Sequence, residues 1–311
     1  MHQPVMLEAV VELLGVRENG CYVDGTLGSG GHAEAVLSRL GPSGKLIGID
    51  RDADALSRCR ARLGCFGERF VPLHGNYRDM IPMVRQAGFD HVDGVMLDLG
   101  VSSEQLDTPG RGFSFRASGP LDMRMDQRSA LTAAEIVNTR PEAELADVFF
   151  RYGEERGARR AARAIVLRRD AEPFRDTLDL AHVLERALGR RHGTASARRH
   201  PATRCFQALR IAVNDELAGI DAGLQSALAL LRAGGRMAVI SFHSLEDRKV
   251  KYFMRAHAGR EVALAEGGSR WEGALPKVRI LTRRAVEASS AECTGNARSR
   301  SARLRAAERI G

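Results

Sequence analysis

Three aspartates stand out by position. Asp24, Asp50 and Asp98 each close a short apolar run: Cys21 to Val23, Leu46 to Ile49 and Val92 to Leu97. Open α/β sheets bind ligands outside the carboxyl ends of their strands, where the strand order reverses, so carboxylates at those ends are placed to meet a polar or cationic ligand. Asp24 runs directly into a turn dense in glycine, Gly25-Thr-Leu-Gly-Ser-Gly-Gly-His32. Gly28, Gly30 and Gly31 let the backbone approach a ligand without a Cβ in the way, and the helix entered at His32 turns its first N–H groups toward it. One such aspartate is as well explained by a turn or helix cap. Three in one chain point to a ligand.

The choice of ligand is between two nucleotide cofactors. Gly28-x-Gly30-x-x-Ala33 also fits the dinucleotide fingerprint, and Asp50 suits the ribose hydroxyls of either NAD or S-adenosylmethionine. Asp24, ahead of the glycines, favours S-adenosylmethionine, whose amino-acid end is cationic. Asp98 adds to this, because the fourth strand of a methyltransferase sheet ends near the transfer site. The loop after it, Asp98-Leu-Gly-Val-Ser-Ser103, has neither the prolines nor the aromatic residue of the D/N-P-P-Y/F loop with which many amino-methyltransferases hold an acceptor amine. Asp98, Ser102 and Ser103 are candidates by position. His243 stands equally as a contact to a substrate base and as a structural hydrogen-bonder.

Phe113 and Phe115 lie in a glycine-rich loop beside Arg111 and Arg116, a combination that can stack an unpaired base, although core packing is the simpler reading of the phenylalanines. On the helix Thr203 to Arg210, Phe206, Leu209 and Val213 form an ordinary apolar stripe, leaving Arg204 to contact phosphate. Asp122-Met-Arg-Met-Asp126 resembles a metal motif only superficially, since acids flanking an arginine form a salt-bridged turn. The five cysteines form no C-x-x-C pair, so neither a zinc knuckle nor a disulfide framework is expected, and no metal is assigned.

The elements that position these residues alternate. Strand-like runs at 21–23, 45–49, 70–73 and 92–97 are separated by helical spacing at 32–40, 54–63 and 79–87, the signature of βαβ units and a parallel sheet. From about 107 to 201 only helical periodicity appears, at 133–138, 142–150, 158–168 and 178–188. A long helical stretch then leads from Pro201 to Leu231, followed by a buried strand at 236–242 and a last strand candidate at 278–282. The expectation is an α/β domain, 1–106 plus 206–311, interrupted by an inserted all-helical domain, 107–205. The tail 288–300 reads as the most mobile stretch.

The 311 residues are 44% hydrophobic and 28% charged, which excludes a collagen, a coiled-coil rod and a disordered chain. No run approaches a membrane span, and the first residues carry no secretory pattern, so a cytoplasmic protein with no membrane partner is expected. The net charge of +8 is concentrated in two arginine-rich blocks, 151–211 and 277–311, while the first half is mildly acidic. Such blocks attract polyanions, nucleic acid above all.

Eight blocks in order carry a resemblance to a known family: Asp24 to His32 (DGTLGSGGH), Leu97 to Ser103 (LDLGVSS), Gly112 to Phe115 (GFSF), Gly119 to Asp126 (GPLDMRMD), Tyr152 to Arg156 (YGEER), Thr203 to Arg210 (TRCFQALR), Ser241 to Arg248 (SFHSLEDR) and Asn296 to Arg305 (NARSRSARLR). Together they resemble the bacterial 16S rRNA cytosine-N4 methyltransferases, over nearly the whole chain. The resemblance implies a class I S-adenosylmethionine-dependent methyltransferase sheet, Rossmann-like, with an inserted helical domain for substrate recognition. It implies methylation of the exocyclic amine of a cytosine in the decoding region of 16S rRNA, on the small ribosomal subunit. It places the cofactor at Gly30, Gly31, His32, Asp50, Tyr77, Asp98 and Gln105, to which the glycine turn adds Gly28; Phe113, Phe115, Arg116 and Arg204 are the substrate candidates by residue type and position. Tyr77 stands where relatives often carry Phe. Whether the enzyme forms a homodimer is not fixed by the sequence.

Overall fold

The computed structural model describes residues 4–189, 200–263, 269–272 and 275–311. In chain order the elements are α1 (Leu7–Leu14), β1 (Cys21–Asp24), α2 (Gly31–Leu37), β2 (Lys45–Asp50), α3 (Ala53–Leu63), β3 (Phe70–His74), α4 (Met80–Gln86) and β4 (Val92–Asp98). Six helices follow: α5 (Ser103–Asp107), α6 (Ala133–Thr139), α7 (Glu142–Gly153), α8 (Ala158–Arg169), α9 (Thr177–Leu188) and α10 (Thr203–Asn214). The chain then returns through α11 (Glu216–Leu230), β5 (Leu231–Ser241), α12 (Ser244–His257), β6 (Arg260–Ala263), β7 (Ser269–Glu272), β8 (Val278–Ile280), β9 (Val286–Glu287), α13 (Ser290–Gly295) and β10 (Arg303–Arg309).

Two compact units result, Met1–Gly100 with Leu217–Gly311, and Val101–Glu216. The division falls before residue 107 and after residue 205, the limits expected from the sequence. The cause is visible in the second unit, where Cys205, Phe206, Ala208, Leu209 and Val213 of α10 are buried in the same core as α6 to α9.

In the first unit the sheet order is β3-β2-β1-β4-β5-β10-β8, with β9 also paired to β10. The strands from β3 to β5 run parallel, and β10 lies antiparallel to both β5 and β8. Alternate residues of each strand serve opposite faces, as a period of two requires. Val23, Ile47, Val95, Leu97 and Val239 join α4, α11 and α12 in one core. Tyr22, Leu46, Met96, Ala238 and Ile240 join α1, α2 and α3 in the other. With helices on both faces the strands read as continuous apolar runs, which is how buried parallel strands appear in sequence. The order reverses between β1 and β4, so Asp24 and Asp98 end the two strands that flank the switch point.

Several expectations are corrected here. The helical stretch 201–231 is two helices, broken where Asp215 takes φ 47 as the C-cap of α10. Arg210 and the buried Glu216 then pair at 2.8 Å across the break. The tail expected to be mobile holds α13 and a 3-10 turn, Ala297–Ser301. It is pinned by Glu292, which accepts hydrogen bonds from Met6 N at 2.7 Å and from Ser299 Oγ at 2.9 Å. The sequence reading also passed over α1 and β10.

The second unit is helical, with one isolated bridge, Pro120 to Asp176, and no other strand among its described residues. In its loops Asp122 pairs with Arg124 at 2.7 Å, the salt-bridged turn expected there, whereas Asp126 pairs instead with Arg128, also at 2.7 Å. Asn214 ties the same loop to α10, accepting from Met125 N at 2.8 Å and donating to Met123 O at 2.7 Å.

Candidate cofactor site

The turn after β1 is held open by its own side chains. Asp24, almost fully buried, accepts from Thr26 N at 3.1 Å, and Thr26 Oγ1 accepts from Asp98 N at 2.6 Å, so the ends of β1 and β4 are tied through one hydroxyl. Asp50 accepts from Gly28 N at 2.7 Å with one oxygen and from Asp52 N at 2.8 Å with the other. The turn itself needs glycine: Gly28 has φ 51 and Gly30 φ 77, a region costly for residues with a Cβ. A Cβ on Gly30 would also stand 2.9 Å from Cys59 Sγ. Cys59 in turn donates to Gly28 O at 3.3 Å. Gly31 opens α2 with Pro4 packed where a Cβ would go.

His32, also buried, lies 2.9 Å through Nε2 from Val5 O. A carbonyl only accepts, so Nε2 carries the proton of that hydrogen bond. Its Nδ1 lies 4.0 Å from Asp98 Oδ2. Tyr77 is buried in the turn after β3. Its ring lies against Gly223 of α11, whose Cβ would meet Cε2 at 2.6 Å, and its hydroxyl lies 3.5 Å from the Cβ position of Gly219, one turn earlier. The spacing of these two glycines on α11 was the sequence signal for a flat ring seat, and it went unread.

The electrostatics of this recess are one-sided. Burial, then the charges of Asp24 and Glu246, push the Asp98 pKa up to about 8, although 29% of its side chain is accessible. Burial, then Asp50, pushes Asp24 up to about 7 against the hydrogen bond from Thr26. Asp50 is raised as well, chiefly by burial. The Cys59 thiol is pushed to about 12 by burial and by the Asp24 and Asp50 charges. Asp98 Oδ1 is buried and has no hydrogen-bond partner among the described residues. Carboxyls crowded in this way lack a cation.

His243 is placed as the N-cap of α12. Its Nδ1 faces Glu246 N at 3.4 Å, and Nε2 lies 3.1 Å from Glu246 Oε1 without hydrogen-bond alignment. Glu246 Oε2 accepts from Phe242 N at 2.8 Å and His243 N at 3.3 Å. Both ring nitrogens therefore face one residue of its own loop, the arrangement of a structural hydrogen-bonder. Glu246, 1% exposed, was missed by sequence reasoning. Its signal was the capping-box spacing of His243-x-x-Glu246.

The remaining candidates belong to the second unit. Ser102 caps α5, its Oγ accepting from Gln105 N at 3.2 Å while Gln105 Oε1 accepts from Ser102 N at 3.1 Å. Ser103 is the first residue of that helix, and Gln105 is buried. Phe113 is buried in the unit's core, which removes it as an exposed stacking surface. Phe115 packs edge-on to Phe206 at 4.7 Å and against His200 at 4.8 Å, so it too is held by protein rings. Arg204 donates to Glu154 O at 3.0 Å and thereby holds the end of α7. Arg116 is exposed. No cluster of metal-ligating side chains occurs among the described residues.

A parallel sheet whose order reverses at β1 and β4, with one antiparallel strand inserted beside β5 and a glycine turn opening onto buried carboxylates, is the sheet of a class I methyltransferase. The crowded carboxyls and the unpartnered Asp98 oxygen fit S-adenosylmethionine, which carries a sulfonium and an ammonium group. The chain belongs to the MraW methylase family, matched over residues 1–310. A protein of Geobacter sulfurreducens is 52% identical over 99% of both chains. One of Syntrophobacter fumaroxidans is 49% identical over 100% of this chain and 97% of its own. One of Carboxydothermus hydrogenoformans is 47% identical over 99% of this chain and 98% of its own. All three are named ribosomal RNA small subunit methyltransferase H. None of the described helices is long and apolar enough to cross a membrane.

Proposed function

We propose that the protein transfers a methyl group from S-adenosylmethionine to the exocyclic N4 amine of a cytosine in 16S rRNA, within the decoding region of the small ribosomal subunit, in the cytoplasm. The observation that carries this reading is kinship along the entire chain, helical unit included, with proteins named for small-subunit rRNA methylation. The inserted unit would then recognise the substrate.

When bound, S-adenosylmethionine supplies an electrophilic methyl group on a sulfonium leaving group. The chain's part is to bind and orient. Gly28 and Gly30 give the backbone its left-handed turn toward the cofactor, and Gly31 opens α2 at the end of that turn. Asp50 keeps lone pairs for ribose hydroxyls, since each carboxylate oxygen can accept twice and each accepts one backbone N–H here. Asp24 and Asp98 balance the cofactor's positive charge, and His32, fixed through Nε2 on Val5 O, lines the recess beside Asp98. Tyr77 and Gln105 complete the set, Tyr77 packing on the adenine.

The amine of cytosine has its lone pair delocalised into the ring. An acceptor for one of its N–H groups would localise that pair, and no strong base is needed because the proton leaves after attack. Asp98, Ser102 and Ser103 are the groups for this. Ser102→Ala is expected to lower kcat while leaving cofactor affinity nearly intact.

The decisive experiment is transfer of labelled methyl groups to small subunits from a strain lacking the protein. Label recovered as N4-methylcytidine at one decoding-region position supports the reading, and label in any other nucleoside overturns it. Sedimentation of the enzyme with the subunit also tells whether one copy or a pair binds.

A further inference from the structure

A second recess in the first unit has the opposite charge. Lys251 and Arg255 of α12, Arg283 and Arg284 from the loop between β8 and β9, and Arg303 and Arg305 of β10 line a cavity of about 530 Å³. Lys251 and Arg255 stand four residues apart on one helix face, and Arg303 and Arg305 two apart on one strand face. The remaining polar lining is Glu287, opposite Arg303 in the β9–β10 register.

The recess is built around a buried carboxylate. Asp247 of α12 accepts from Arg305 Nε at 2.6 Å and Nη2 at 3.2 Å, and from Arg303 Nη1 at 3.3 Å. The Asp247 and Arg305 side chains are 8% and 11% exposed, whereas that of Arg303 is 49% exposed. Asp247 therefore fixes two guanidiniums and cannot neutralise the rest. Lys251, Arg255, Arg283 and Arg284 have no ion-pair or side-chain hydrogen-bond partner among the described residues, and both arginines of the loop are exposed. Six cations face two carboxylates. Like charges held this close repel, a cost that a polyanion relieves.

The lining also says which polyanion. Among the described residues it contains no aromatic side chain, no amide and no hydroxyl. A free nucleotide needs a stacking or base-edge partner, whereas a phosphodiester backbone needs cations and forked N–H donors, which arginine supplies in bidentate geometry. We propose that this recess is a phosphate-binding subsite that grips the backbone of the substrate RNA without reading its sequence. Naming RNA as the polyanion rests on the rRNA-methyltransferase reading. The charge and geometry of the recess do not.

The test uses the full chain and a labelled single-stranded RNA of mixed sequence, titrated at several salt concentrations. Arg283→Ala/Arg284→Ala and Lys251→Ala/Arg255→Ala each remove two exposed or half-buried cations that hold nothing else in place. Each double variant is expected to weaken RNA binding at least tenfold. Each should also lower the slope of log affinity against log salt by about 1.4, the loss of two single-strand phosphate contacts. Arg283→Lys/Arg284→Lys should keep the slope. Cofactor affinity should be unchanged, and KM for small subunits should rise while kcat holds.

Parental affinity and slope in both double variants would overturn the proposal. So would a loss of binding to phosphatidylglycerol vesicles with RNA binding retained, which would assign the recess to a lipid surface. A parent that binds RNA steeply with salt yet methylates no subunit refutes the activity and leaves the recess standing.

Discussion

Binding of S-adenosylmethionine is expected to expel protons from the strand-end recess. Without the cofactor, Asp98 titrates at about 8 because burial, Asp24 and Glu246 disfavour its charge, and Asp24 titrates at about 7 because burial and Asp50 do the same. His32, the nearest imidazole, lies 4.0 Å from Asp98. At pH 7 Asp98 is then about nine-tenths protonated and Asp24 about half, so a cationic ligand that holds both as carboxylates releases about 1.4 protons from the pair. The ligand's own α-amino group, with a free pKa near ~8, takes back only about a tenth of a proton at that pH. The net release is about 1.3 protons at pH 7, turning to net uptake at pH 9, where the carboxyls are already ionised. Calorimetric titration in two buffers of different ionisation enthalpy reads this number directly. Asp98→Asn should reduce the release to less than half. Net release near zero at pH 7, or a release unchanged in Asp98→Asn, refutes the assignment of the recess as the cation-binding end of the cofactor site.

The same groups act on stability. Their pKa values are raised above the unfolded value of about 4, so their contribution is complete below that pH and is lost as pH rises through about 7 to 8. Denaturant unfolding of the cofactor-free protein should show a loss on the order of 4 kcal/mol between pH 6 and pH 9, and the Asp24→Asn/Asp98→Asn variant should flatten it. Asp247 runs the other way: against its burial, Arg305 and then Arg303 hold it below the usual carboxylate range. Its contribution is present above pH ~4 and disappears as pH falls through its folded pKa. Asp247→Ala, which strands the buried Arg305, should cost about 3–5 kcal/mol at neutral pH by the same unfolding measurement. Gly223→Ala pushes a methyl group into the Tyr77 ring, and is expected to cost about 1–3 kcal/mol of stability. It should also raise the cofactor Kd by calorimetry, because the ring cannot keep its seat.

The parts of the fold that were legible in the sequence are those where local pattern and tertiary role agree. Val92 to Leu97 is buried on both faces and reads as a strand because Val92 and Val95 to Leu97 are apolar, while Asp93 is buried on Cys21 N and Arg232. The aspartates that follow such runs were legible as strand ends, and the structure buries Asp24 and crowds it with Asp50 and Asp98 at one end of the sheet. The miss at β10 has the opposite cause. Arg-Leu-Arg-Ala-Ala-Glu-Arg is made of strong helix formers without a β-branched residue. Six residues of it nevertheless pair with β5, because that edge would otherwise be left open. At α1 the fault was one of reading, since Leu7, Val10, Val11 and Leu14 have helical spacing. His243 shows the limit of type and position: a histidine in a strand-end loop suggests chemistry, and only the placement of Glu246 beside both ring nitrogens makes it a cap. Phe113 was ambiguous for the same reason, as aromatic residues beside arginines occur both on surfaces and at the margins of cores.

The position of β10 also bears on how the protein is made. The strand nearest the C-terminus does not sit at an edge; it lies between β5 and β8 and joins them. A nascent chain emerging in order presents β1 to β5 well before residues 303–309, so β8 has no neighbour and β5 keeps an open edge until β10 emerges. The helices of Val101–Glu216 can gather from contacts near in sequence, whereas the sheet must join β4 to β5 across the whole helical insertion, Asp98 pairing with Ile240, before β10 can close the β5 edge, and such long-range pairing slows folding. A prematurely terminated product would accordingly carry the glycine turn and all three aspartates on an unfinished sheet. The integrity of the sheet is thus coupled to the arrival of β10.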